Sequence, residues 1–231
     1  MVAILVLLTI LTFLTVDYFA QRSAAHRAVP ATAPARRPMR VMAPADLGLV
    51  PAGVFMDLGH TWARLEPSGE LRVGADRLPA TLLGGVERVE ALPAGSEVGR
   101  GDPVAVLHHG GRSLPVRSPV DGRVAAVNAP LEAEPGRLAA DPYGQGWLCT
   151  IAPRGLGGAL RRLLVAEEAQ AWMRRELASL RDFLVGMGER GALATATLPD
   201  GGLPVEGLAG RLAEGDWNEL AERFFGAPAG G

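Results

Sequence analysis

The densest group of chemically able side chains in this 231-residue chain is His108-His109-Gly110-Gly111-Arg112. Histidine titrates near neutral pH and is the commonest metal ligand, so acid–base work or cation binding comes first to mind. Adjacent residues on a strand point to opposite faces, which keeps His108 and His109 from chelating one ion. Asp102 and His60 are the residues a fold might add to them, yet no metal-ligand spacing is present. No metal site is expected, only solvent-exposed histidines at a hairpin tip. Cys149 is the single cysteine, which excludes an intramolecular disulfide. Its apolar surroundings predict a buried, inert thiol. Ser113 and Ser118 have no recognisable His and acid partners, and no GxGxxG or P-loop spacing joins a strand to a helix. An enzyme is not expected.

The basic residues sharpen that exclusion. All 23 are arginine, and the chain contains no lysine. Schiff-base chemistry, a P-loop lysine and a lysine bearing lipoate, biotin or pyridoxal phosphate are therefore absent. The formal net charge of −2 gives no electrostatic reason to expect nucleic acid. No cofactor is expected.

The elements that must position these residues begin with an apolar run, VAILVLLTILTFLTV, at 2–16. Extended to Ala20 it makes a helix of about 28 Å, enough to cross a bilayer. Nothing basic precedes it, and Asp17-Tyr18-Phe19 is a poor cleavage site, so residues 1–21 read as a retained transmembrane anchor, not a signal peptide. Arg22, Arg27, Arg36, Arg37 and Arg40 follow it, which puts the following domain on the cytoplasmic side of the inner membrane. Residues 22–53, rich in Pro, Ala and Arg, read as a linker whose arginines set topology or lie on anionic headgroups.

From 54 to 153 the pattern is mainly β. Trp62 to Val73 reads as a hairpin around Pro67-Ser68-Gly69. Val104–His109 and Leu114–Arg117 flank Gly110-Gly111, a pair suited to the positive φ angles of a primed hairpin turn. Val86–Glu90, Gly122–Asn128 and Trp147–Ile151 are further short strands. Such regular spacing points to a sandwich or flattened barrel.

These residues resemble the H protein of the glycine cleavage system. The likeness runs through His60-Thr61-Trp62, Val73-Gly74, Leu83-Gly84, Val89-Glu90, Leu92-Pro93, Gly101-Asp102-Pro103, Ser118-Pro119-Val120-Asp121-Gly122 and Val127-Asn128. Its most specific piece is Asp141-Pro142-Tyr143-Gly144-Gln145-Gly146-Trp147-Leu148, close to that family's DPYGxGWL. The resemblance implies a lipoyl-type flattened β-barrel or sandwich with a C-terminal helix. It also implies a lipoate-bearing lysine at a hairpin tip, presented to partner enzymes. Counted back from Pro119, that lysine's position falls on Gly111, and His108 stands in place of the family's preceding acidic residue. Arg112 cannot take over, because its guanidinium stays protonated and forms no amide.

Beyond the β region, residues 154–187 carry apolar side chains at helical spacing (Leu156, Leu160, Leu163, Leu164, Trp172, Met173, Leu177, Leu180, Leu184) and read as one or two amphipathic helices. Residues 188–231 read as a flexible extension ending in a short helix, with Asp216 as N-cap and Glu219 at N3. Trp217, Leu220, Phe224 and Phe225 share one side of that helix. They serve either to cover a sheet edge of the same chain or to dock in a partner's groove.

The function expected from the sequence is a membrane-tethered, non-enzymatic H-protein-like docking or scaffold module without lipoate. His108, His109, Gly110 and Arg112 form its docking tip toward an unidentified protein partner. The alternatives are a lipoyl-like adaptor subunit of a membrane transport or other membrane complex, or a glycine cleavage H-type protein in name only. Against the first, adaptors usually split the lipoyl unit around a long helical hairpin, whereas here the two halves are contiguous.

Overall fold

The computed structural model describes residues 41–42, 47–189, 203–204 and 206–226. The anchor expected at 1–21 and most of the expected linker lie outside these residues. Among the described residues no helix is long and apolar enough to cross a membrane.

Turn residues cut the chain between Phe55 and Pro153 into short strands, and the hydrophobic pattern folds them into antiparallel pairs. In chain order the strands are β1 (Val41–Met42), β2 (Phe55–Met56), β3 (Thr61–Leu65), β4 (Leu71–Ala75), β5 (Arg88–Ala91), β6 (Glu97–Val98), β7 (Pro103–His109), β8 (Arg112–Arg117), β9 (Gly122–Val127), β10 (Cys149–Pro153), β11 (Leu164–Val165) and β12 (Leu203–Pro204). The helices are α1 (Arg77–Leu83), α2 (Pro130–Ala133), α3 (Arg137–Ala140), α4 (Leu156–Leu160), α5 (Ala166–Glu189) and α6 (Glu214–Phe225). A seven-stranded sheet has the order β11-β2-β3-β4-β10-β9-β6, a three-stranded sheet the order β5-β7-β8, and β1 pairs with β12.

The hairpin expected from Trp62 to Val73 is β3–β4, with Thr61 opposite Ala75 and Leu65 opposite Leu71. At β10 the strand runs from Cys149, two residues later than expected. Cys149, Thr150 and Ile151 are all buried instead of alternating in and out. β10 is flanked by β4 and β9, and a register shift between Thr150 and Ile151 breaks the period of two.

Helix α1 went unread in the sequence although both of its ends are signalled. The Asp76 carboxylate accepts from the Leu78 N–H, and Gly84 closes the helix in the left-handed region. Trp62 anchors the interior. Its indole N–H donates to the carbonyls of Ala75, at 2.9 Å, and Pro142, at 3.1 Å. Tyr143 stacks on the ring at a tilt, so the Asp141-Pro142-Tyr143-Gly144 turn braces the core tryptophan.

The C-terminal elements share this core. Along α5, Ala169, Trp172, Met173, Leu177, Leu180, Leu184 and Met187 are buried at helical spacing. Leu47 and Val50, from the expected linker, are buried there too. The expected flexible extension is, over Glu206–Gly226, a folded strap with Leu208, Ala209 and Leu212 buried. Its helix α6 begins at Glu214, with Ala213 at the N-cap and no side-chain cap. Asp216 therefore lies in the first turn, not at the cap, and the helix starts three residues earlier than expected.

Candidate functional site

The hairpin tip follows from two glycines. Gly110 and Gly111 have φ values of 56° and 78°. That conformation at both central residues makes a primed turn whose twist suits the strands, and only glycine adopts it without strain. His109 pairs with Arg112 and His108 with Ser113 on either side of it. A Cβ built on Gly111 meets nothing within 4 Å. The Gly110 N–H donates to the Glu87 carboxylate at 3.1 Å.

The tip histidines are half-buried, not solvent-exposed as expected, because neighbouring elements flank both faces of the hairpin. Side-chain exposure is 26% for His108 and 33% for His109. His108 Nε2 lies 3.2 Å from the Glu90 carboxylate on β5. Burial, and then the Arg88 guanidinium, hold its imidazole below the ordinary histidine range. His109 points the other way, toward Glu87 and the Gly84–Gly85 end of α1. Asp102 caps its own turn by accepting from the Gly99 N–H. Among the described residues no three His, Cys, Asp or Glu side chains are grouped to hold a metal ion.

Arg112 turns away from solvent, and its guanidinium donates to the Leu212 carbonyl of the strap at 2.8 Å. Further down β8, Arg117 donates to the Phe225 carbonyl at 3.0 Å. The Gly207 N–H donates to the Thr81 carbonyl on α1. There a Cβ on Gly84, whose φ is +87°, would sit 2.7 Å from the Gly207 Cα. The strap is thus clamped to the flank of the tip hairpin. Trp217, Leu220, Phe224 and Phe225 are buried within the chain itself.

Beneath the strap lies a cluster that the sequence did not single out. His60 is fully buried, with φ of 60°, an uncommon backbone for a non-glycine residue. Its Nδ1 is 2.7 Å from the Asp76 carboxylate and its Nε2 is 3.9 Å from that of Glu176 on α5. The rings of Trp172 and Phe225 flank it at 5.2 and 5.1 Å. Burial works against the imidazolium, but Asp76 and then Glu176 outweigh it and raise the pKa above the ordinary value. The missed signal was Asp76, a helix N-cap whose second oxygen was free for a buried partner.

Cys149 is buried, and burial pushes its thiol up to about 12. No thiolate chemistry is available there at neutral pH. What the tip offers is shape: a two-glycine turn, open above Gly111, on a hairpin braced from both sides.

A family model for the glycine cleavage H-protein matches residues 55–176, more than half of the chain. The chain belongs to the glycine cleavage H-protein family. The glycine cleavage system H protein of Aeromonas hydrophila is 37% identical over 121 residues, which cover 52% of this chain and 93% of that protein. A Psychrobacter H protein is 36% identical over 122 residues, covering 53% of this chain and 96% of the relative. H protein 2 of Aquifex aeolicus is 30% identical, with 52% and 76% covered. A crystal structure of the Mycobacterium marinum H protein covers 53% of this chain and 97% of its own, at 26% identity and a TM-score of 0.47. The strap and most of α5 lie beyond the span matched to the family.

Proposed function

We propose that this chain is a non-enzymatic docking module of the H-protein family that carries no lipoate. In this reading residues 1–21 tether it to the inner membrane, with the folded part on the cytoplasmic side. One observation supports the reading: the chain contains no lysine at all, and Gly111 stands where the count back from Pro119 puts the family's carrier lysine. A lipoyl amide needs a primary amine on a long stem. The hairpin, braced by Glu87, Glu90 and the strap, instead presents a fixed edge to a partner protein.

Co-expression of the full chain with a lipoate ligase and lipoate, followed by intact mass measurement, tests the first half. The unmodified mass is expected, and a lipoyl adduct overturns the reading. Carbonate washing of membranes tests the tether, since a chain released into the supernatant is not anchored. Gentle extraction with a C-terminal tag tests docking. A stoichiometric partner is expected, held by the native chain and lost from Gly111→Glu.

A further inference from the structure

Helices α5 and α6 meet along a groove of about 550 Å³ lined by Arg175, Ala178, Ser179, Asp182, Phe183 and Arg223. The small side chains of Ala178 and Ser179 open it, and Phe183 walls it. The Arg223 guanidinium is laid over the Phe183 ring at 5.1 Å and the Phe224 ring at 5.6 Å, which fixes its direction. Phe183 and Phe224 in turn contact edge to face.

Among the lining residues two arginines stand against one carboxylate, Asp182. Asp182 is engaged by its neighbour Arg181 at 3.2 Å. Glu176 is half-buried, 3.9 Å from His60 Nε2, and also within electrostatic reach of Arg223. Neither Arg175 nor Arg223 forms an ion pair among the described residues. Arg175 and Arg223 both line this groove, and planar guanidinium forks suit phosphate oxygens.

We infer that this groove is a phosphomonoester site, taking the dianion between Arg175 and Arg223 with Ser179 as a further donor. The organic part of the ligand lies over Phe183 and Ala178. The site is independent of the docking reading, since it lies on helices at and beyond the end of the family match. Arg223 comes from α6 and the rest from α5, so the groove is complete only while α6 is docked. Binding therefore holds α6 down by linkage.

The test uses the full chain in a neutral detergent, titrated with inorganic phosphate at constant ionic strength. Calorimetry reads binding, and hydrogen exchange reads the peptide Glu214–Phe225. Saturable binding with slowed exchange in α6 is expected, weakened about tenfold by Arg175→Gln, an exposed change that leaves the core intact. Arg223→Gln is expected to lose binding as well. A second arm uses neutral phosphatidylcholine vesicles with and without phosphatidic acid, whose headgroup is a phosphomonoester. A response to those vesicles alone assigns the ligand to a lipid, and a response to free phosphate assigns it to a soluble ester. Absence of both, or binding that Arg175→Gln leaves unchanged, overturns the proposal.

Discussion

Replacing Asp76 by asparagine probes the buried cluster with little structural damage. Asparagine matches aspartate in size and caps helices about as well, so Leu78 keeps an acceptor for its N–H. What disappears is a carboxylate 2.7 Å from His60 Nδ1, with both side chains fully buried. A hydrogen bond to a charged group is worth about 1.5–3 kcal/mol. Stranding a buried charge costs about 3–5 kcal/mol, but His60 escapes that larger figure by releasing its proton. The expected loss is about 2–3 kcal/mol at acid pH.

The sign of the pH dependence follows from the pKa of His60, which folding raises above 6.5. Stabilisation by the charged pair is fully present below the unfolded value and is lost as pH rises through the folded one. In Asp76→Asn, burial opposes the charge with only Glu176, 3.9 Å away, to offset it. Acid then destabilises the variant. Urea unfolding of the full chain in neutral detergent, followed by tryptophan fluorescence at about pH 5.5, 7.5 and 9, reads the difference. The gap between native chain and variant is expected to be widest at the acid end. A gap that stays constant, or widens toward alkaline pH, refutes the reasoning.

Gly84→Ala strains a left-handed backbone and drives a Cβ into Gly207, so a loss of about 2–4 kcal/mol and faster hydrogen exchange across α6 are expected in denaturation and exchange experiments. Gly111→Lys meets open space and carries only the backbone cost, so it folds with a loss of about 1–2 kcal/mol by urea titration. Arg112→Ala and Arg117→Ala each remove one donor to a strap carbonyl. Each should cost about 0.5–1.5 kcal/mol and speed exchange in α6 while leaving the β7–β8 hairpin protected. Cys149 should resist a thiol reagent at about pH 8 until the chain is unfolded, whereas rapid labelling of the native protein would contradict its burial.

The β region was legible because its signals are local. Gly110-Gly111 dictates its turn whatever surrounds it, and Pro67-Ser68-Gly69 with alternating neighbours closes the β3–β4 hairpin. The family motif around Asp141 placed the turn that braces Trp62. The half-burial of His108 and His109 was not legible, because it depends on Glu87, Glu90 and the end of α1 arriving from elsewhere. Helix α6 shows a further limit. Its apolar face was plain in Trp217, Leu220, Phe224 and Phe225, but periodicity says only that a face is buried, not against which surface. His60 drew notice beside the tip histidines. Its burial needed Trp172, Glu176 and Phe225, all more than a hundred residues downstream.

That separation orders events during synthesis. The strap's carbonyl clamps join residues 100 and 108 positions apart in the chain. At a translation rate of about 5–20 residues per second, the strap trails the hairpin that receives it by about 5–20 seconds. Throughout that interval the β domain has the means to fold, while His60 and the apolar flank of β8 and α1 lack their cover. The nascent chain thus displays to chaperones and early partners a surface that the finished protein keeps closed, and the arrival of α6 marks the end of that exposure.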